Sequence, residues 1–295
     1  MKKLFFFLVI LFGCETKNDS LPNVILVLVD DLGYNDVGFN GSNDIRTPNI
    51  DMLSHNGVTF TNGYVSYPVC SPSRAGIITG RHQDKFGYGL NILYTPKDPK
   101  MGLPLSEYTL ADLFKSKNYI TSAIGKWHLG AHESLRPLNR GFDEFFGFLT
   151  GGHRYFPEEW TLEDETKVKS QGDAYKTKLL RNDQRVEENE YLTDALSREA
   201  IDFIDRNNDN TFFIYLAYNA PHGPLQATKK YLDRYDHIED KRRKTYAAMV
   251  SSVDDGVGGI IDKLKQHNVL DNTIIYFLSD NGGSKFNSSN NYPLK

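Results

Sequence analysis

Two cysteines, Cys14 and Cys70, in 295 residues exclude a fold held together by a disulfide framework. Charge of one sign is equally scarce: 34 Lys and Arg against 38 Asp and Glu leave a formal −4, so nothing calls for a nucleic-acid partner. No internal repeat or low-complexity tract occurs, which argues against a solenoid or a long unstructured tail. Long apolar runs are missing too. The opening run, Leu4 to Phe12, is too short to span a bilayer comfortably. What is present is an ordinary globular composition, 39% hydrophobic and 24% charged, with core enough for one large domain or two smaller ones. The seventeen Tyr and eighteen Phe suit core packing first and sugar-stacking surfaces second.

The opening run follows Met1-Lys2-Lys3 and reads as an export signal over residues 1–13. It ends Leu11-Phe12-Gly13-Cys14, which resembles the bacterial lipobox, so cleavage before Cys14 and lipidation of its thiol follow; a plain secretory signal is the alternative. Residues 14–22 then form a polar tether and 23–295 the folded domain, anchored by lipid to a membrane of the bacterial cell envelope, in the periplasm or at the cell surface. An acylated Cys14 leaves Cys70 as a lone thiol in an exported chain, with no disulfide to make. Such a thiol needs a chemical reason.

The run Asn23 to Asp31 is continuously apolar until its last two residues, Asp30 and Asp31. It predicts a buried parallel strand with its acids at the carboxyl end, where open α/β sheets place their ligands. Adjacent carboxylates repel, so a divalent cation held by oxygen ligands is the economical reading and a solvated turn the plain one. A short helix is expected from Thr47 to Gly57, with Pro48 at its first position. An extended segment from Thr59 to Val69 should then give way to a helix at Cys70, because Pro72 suits a first turn and Ser71 or Ser73 can cap free N–H groups. A helix start favours anions, and Arg74 one turn later adds positive charge. The plain reading there is a buried thiol and a surface Arg.

Next comes an amphipathic helix from Tyr108 to Lys117 and a strand from Tyr119 to Ile124, with Asn118 suited to a left-handed turn. That strand runs into Gly125-Lys126-Trp127-His128-Leu129-Gly130. Lys126 and His128, two apart on an extended segment, should point to one side together. A Gly-rich segment from Gly141 to Phe156 carries His153 and Arg154, and residues 157–191 read as a polar excursion over a pocket mouth, with a turn at Arg181-Asn182-Asp183. Thr193 is expected to cap a helix reaching about Asn207. The strand Thr211 to Tyr218 delivers Asn219-Ala220-Pro221-His222-Gly223-Pro224, where the two prolines hold His222 in a rigid, non-helical loop. A long helix from about Asp240 to His267 precedes a last strand, Thr273 to Ser279, that ends in Asp280-Asn281-Gly282-Gly283. The alternation argues for an α/β fold with a mostly parallel central sheet and helices on both faces.

The run Cys70-Ser71-Pro72-Ser73-Arg74, followed after four residues by Thr79-Gly80, resembles the first signature of the type I sulfatases. Residues 125–130 are similar to the second signature, the Gly-rich segment looks familial, and Pro221-His222 matches the family's Pro-His motif. The resemblance implies that Cys70 is oxidised to formylglycine (3-oxoalanine) by a maturation enzyme. It implies that Asp30, Asp31, Asp280, Asn281 and the converted Cys70 bind one Ca²⁺, with Mg²⁺ the possible substitute. It further implies roles: the hydrate at position 70 attacks sulfur, Arg74 and Lys126 steady the hydrate and sulfate oxygens, His222 protonates the leaving sugar oxygen, and His128 takes the last proton. His153 and Arg154 would hold the sugar, and Ser71→Ala should hardly matter. The substrate class implied is a sulfated polysaccharide or oligosaccharide, with ulvan, carrageenan and glycosaminoglycans as candidates. Members of the family usually continue past this point with a further lysine and a smaller C-terminal subdomain, so the resemblance implies a chain incomplete at its C-terminus. Two alternatives stand beside it: a phosphate-ester hydrolase of the same superfamily, and a lipid-anchored glycan-binding remnant.

Overall fold

The computed structural model describes residues 21–163 and 167–294. The expected signal peptide, Cys14 and most of the tether lie outside the described residues. Seven strands form one sheet: β1 (Asn23–Val29), β2 (Ile120–Lys126), β3 (Glu144–Phe148), β4 (Leu180–Arg181), β5 (Gln184–Arg185), β6 (Phe212–Tyr218) and β7 (Thr273–Ser279), in the spatial order β5-β4-β3-β2-β6-β1-β7. The five longer strands are parallel and the two short ones antiparallel. The expected mostly parallel α/β sheet is therefore the one found.

Helices α1 (Pro48–Asn56), α2 (Cys70–Thr79), α3 (Leu110–Lys115), α4 (Gln171–Ala174), α5 (Leu192–Arg206), α6 (Lys229–Leu232) and α7 (Lys241–Gln266) complete the layers. Alternation along β1 divides the core between them. Ile25, Val27 and Val29 pack with α5 and α7, whereas Val24, Leu26 and Leu28 pack with Ala75 and Ile78 of α2 and Ala111 of α3. β1 lies between β6 and β7 and is buried along its whole length, which accounts for its unbroken apolar run. Asn118 does take a left-handed conformation (φ 62°), turning the chain from α3 into β2.

Several local expectations are corrected. Residues 59–69 form no strand; Phe60 and Tyr64 are exposed, so their side chains gain nothing from a pleated, half-buried position. Neither Ser71 nor Ser73 caps α2, which begins at Cys70 after an extended Val69 with no side-chain cap. Thr193 lies inside α5 rather than ahead of it. Part of the Gly-rich segment becomes β3, and the 157–191 excursion adds β4 and β5 to the sheet edge through the predicted turn at 181–183.

Gly125 and Gly147 sit side by side in the β2–β3 register with φ of 101° and 154°. A Cβ on Gly125 would fall 2.0 Å from the Ala217 carbonyl oxygen, and one on Gly147 would fall 2.0 Å from that of Gly125. These two glycines let β2 and its neighbours close up immediately before Lys126. Gly125→Ala is expected to cost about 3 kcal/mol or more, from strain and clash together, lowering the Tm by roughly 10 °C in a thermal melt.

Candidate active site

The carboxyl ends of β1, β2, β6 and β7 meet at one edge of the sheet, and the start of α2 lies against them. Asp30 follows β1, Lys126 closes β2, and Asp280 follows β7; all three are buried, as is Arg74 in the second turn of α2. Lys126 Nζ donates to Asp30 Oδ2 at 2.6 Å. Arg74 reaches Asp280 Oδ2 from Nε (3.1 Å) and Nη2 (2.8 Å), and its Nη1 donates to the Lys126 carbonyl at 3.2 Å. The same Nη2 is 3.4 Å from Asp30 Oδ1. Cys70, Asp30 and Asp280 each offer an atom within 4.8 Å of the others.

Electrostatics follow from this crowding. Burial alone would raise the Asp30 carboxyl, but Lys126, His222 and Arg74 together hold it below its ordinary value. Burial and the neighbouring Asp30 push Asp280 up to about 6, so the two acids are incompletely neutralised. Burial also pushes the Cys70 thiol up, with Asp30 and Asp280 adding to it. A free thiol here is un-ionised at neutral pH and a poor nucleophile.

The two histidines present different nitrogens. His128 has a left-handed backbone (φ 53°), so it leaves the extended path assumed from its spacing, yet it remains buried beside Lys126. Its Nε2 lies 3.2 Å from the Ile92 carbonyl oxygen, which assigns the proton to Nε2 and leaves the buried Nδ1 as a lone pair without a partner. Burial and Lys126 hold the ring well below its ordinary range and therefore neutral. A neutral imidazole with a free lone pair is a base. His222 has Nδ1 2.6 Å from the Gly223 carbonyl oxygen, and its Nε2 is 3.9 Å from Asp31 Oδ2. Tyr155 Oη donates to the His222 carbonyl at 2.7 Å and fixes that loop.

Asp31 and Asn281 complete the edge. Asp31 N–H donates to Asp280 Oδ1 at 3.2 Å, and Asn281 Nδ2 donates to Asp31 Oδ1 at 2.7 Å. Asn281 Oδ1 is buried and accepts no hydrogen bond, and Asp30 Oδ1 is buried with only the 3.4 Å ion-pair contact to Arg74 Nη2 beside it. Buried oxygens without donors are costly, and oxygen is the donor that hard cations take, so this set fits Ca²⁺ or Mg²⁺. The un-ionised thiol of Cys70 is the one poor ligand of the group.

Two expectations are corrected. His153 does not face the site: its ring is buried between Phe148 and Trp160, and its nitrogens lie 2.9 Å and 2.8 Å from the carbonyl oxygens of Arg154 and Thr177. It is a core histidine that organises backbone, whereas Arg154 next to it is part-exposed and lies 3.4 Å from Glu159. Ser71 is not a passive position either. Its buried hydroxyl meets Tyr88 Oη at 2.9 Å and donates to the His128 carbonyl at 2.8 Å, tying the start of α2 to that histidine.

Sequence reasoning missed Tyr175, which the excursion brings against the Gly151-Gly152 pair beside His128. Its ring lies over Gly152, where a Cβ would be 2.9 Å from the hydroxyl, while Gly151 makes the same room for the His128 ring. Burial raises its phenol from the ordinary value, with Lys126 opposing and Asp30 adding to the shift. The paired glycines were a visible signal; what they accommodate was not.

Comparison with known proteins agrees with this geometry. The family model for Sulfatase matches residues 22–295. Arylsulfatase J of Mus musculus is 36% identical over 285 residues, covering 95% of this chain and 46% of that protein. N-acetylgalactosamine-6-sulfatase of Homo sapiens is 35% identical over 274 residues, covering 89% and 50%. The crystal structure of Ps i-CgsB in complex with k-i-k-neocarrahexaose superposes with a TM-score of 0.86 at 47% identity, covering 94% of this chain and 62% of that one. The chain thus spans about half the length of the curated relatives it matches. A thiol at a helix start among buried acids, an Arg, a Lys and two histidines, set on this sheet and matched from Pro22 onward, places the chain in the sulfatase family.

Proposed function

We propose that this protein removes sulfate from a sulfated polysaccharide or oligosaccharide, with Cys70 converted to formylglycine and one Ca²⁺ (or Mg²⁺) beside it. The observation that carries the reading is the position of Cys70 Sγ, grouped with oxygens of Asp30 and Asp280 within 4.8 Å and next to buried Arg74 and Lys126. As a thiol that atom is un-ionised and suits neither a hard cation nor nucleophilic attack; as an aldehyde hydrate it presents oxygens for both. The cation supplies positive charge that favours the ionised hydrate and the sulfate oxygens.

The protein's own groups supply the remainder. Arg74 and Lys126 stand where negative charge on the sulfate oxygens develops. His222, with Nδ1–H committed to a carbonyl, would give the leaving sugar oxygen a proton from Nε2 when the ring carries both protons and return to the neutral ring, and neutral His128 offers Nδ1 to take the proton from the remaining hydroxyl. Tyr175, packed against Gly152 next to the glycine that makes room for His128, is read as a hydrogen-bond donor and ring for the sugar. The likeness to a structure solved with a neocarrahexaose favours carrageenan-type oligosaccharides over glycosaminoglycans or ulvan. Lipidation at Cys14 would hold the enzyme at the cell envelope, where such polysaccharides arrive from outside.

Mass spectrometry of the Cys70 peptide, after expression with the maturation enzyme, is expected to find the aldehyde; an intact thiol overturns the nucleophile. In an assay of released sulfate on a panel of sulfated oligosaccharides, Cys70→Ala should abolish turnover and Lys126→Ala should lower kcat by about 10²- to 10³-fold. Tyr175→Phe should raise KM several-fold with kcat nearly unchanged, about 1 kcal/mol of binding, and no change would remove Tyr175 from the substrate's path. Stripping divalent ions with a chelator should lower the Tm, and adding Ca²⁺ should restore it.

A further inference from the structure

Behind the cation-binding edge lies a second buried polar cluster that the reaction scheme does not use. Asp36, five residues after Asp31, is fully buried. Its Oδ2 accepts from Tyr246 Oη at 2.7 Å and from the Asn290 N–H at 2.8 Å, and its Oδ1 accepts from Arg243 Nη1 at 2.7 Å. Tyr246 Oη in turn accepts from the Gly33 N–H at 3.0 Å, and Arg243 Nη1 also donates to the Ser288 carbonyl at 3.0 Å. The donors come from α7 and from the loop after β7, while Asp36 belongs to the loop after β1. Those two loops carry Asp31 and Asn281.

The loops are also pressed together. A Cβ on Gly283 would lie 2.8 Å from Gly33 Cα, and Asn35 N–H donates to the Asn290 carbonyl at 2.9 Å. One carboxylate therefore fixes the spacing of both loops through α7, whose Tyr246 Oη also reaches the Asp31 carbonyl oxygen at 3.4 Å. A buried ion pair of this kind is weak evidence of stability, because well-packed apolar side chains would serve as well; its directional hydrogen bonds are what tie the two loops to α7.

We propose that Asp36, with Tyr246 and Arg243, is a positioning unit that sets the distance between Asp31 and Asn281 and so tunes the affinity of the site for a divalent cation. The inference rests on reading those two residues as cation ligands. Outer supports of metal ligands are typically worth about 10- to 100-fold in metal affinity.

The test is isothermal titration of Ca²⁺ into the chelator-stripped full chain, together with thermal melts of the stripped protein. Tyr246→Phe is expected to weaken Ca²⁺ binding by about 10- to 100-fold, with a folded circular dichroism spectrum. Asp36→Asn, which keeps the shape and loses the charge, should do the same and serves where Tyr246→Phe fails to fold. A lowered melting temperature with unchanged Ca²⁺ affinity in the variants overturns the positioning role and leaves the cation site standing. No Ca²⁺ binding by the wild type overturns the cation site itself and this unit with it.

Discussion

Three carboxylates, those of Asp30, Asp31 and Asp280, converge on one edge of the sheet, where among the described residues two permanent cations, Arg74 and Lys126, answer them. Charges in such a medium interact far more strongly than in water, so the imbalance is felt by every group nearby. Burial and the neighbouring acids raise the Asp280 carboxyl and the Cys70 thiol, while burial and the positive charge of Lys126 keep His128 neutral. A divalent ion held there would turn a net negative pocket into a net positive one, and on the proposed reading the pocket would then attract an anionic ester that it otherwise repels.

The sheet makes that concentration of charge tolerable. Parallel strands bring all their carboxyl ends to one edge, and α2 points its first turn at the same place, so each charged side chain arrives on a rigid element. Arg74 illustrates the economy of the arrangement. Its guanidinium donates to Asp280 on one side and to the Lys126 backbone on the other, so a single planar group spans the strands β2 and β7 that lie on either side of β1 and β6.

Much of this was legible in the order of residues. The apolar runs of β1 and β6 are unbroken because both strands are buried on both faces, and Asp240 and His267 bound α7 where the sequence places them. The left-handed Asn118 and the turn at 181–183 follow from side-chain preference alone. What was not legible depends on contacts between distant segments. Ser71 looks like an interchangeable helix-start residue until Tyr88 and the His128 carbonyl close on it. His153 sits in a segment that resembles a pocket border, and only the packing of Phe148 and Trp160 reveals it as core. The Phe- and Tyr-rich 59–69 segment has strand composition without a neighbour to pair with, which composition cannot report.

β7 carries a tension of its own. It hangs at the border of the sheet, hydrogen-bonded to β1 alone, with Ile274 and Tyr276 facing outward, yet it delivers Asp280 and Asn281 to the charged edge. A peripheral ribbon with one free flank breathes more readily than an interior one. The oxygens that β7 contributes are therefore only as steady as this outer ribbon, which ties the charged edge to the outside of the molecule.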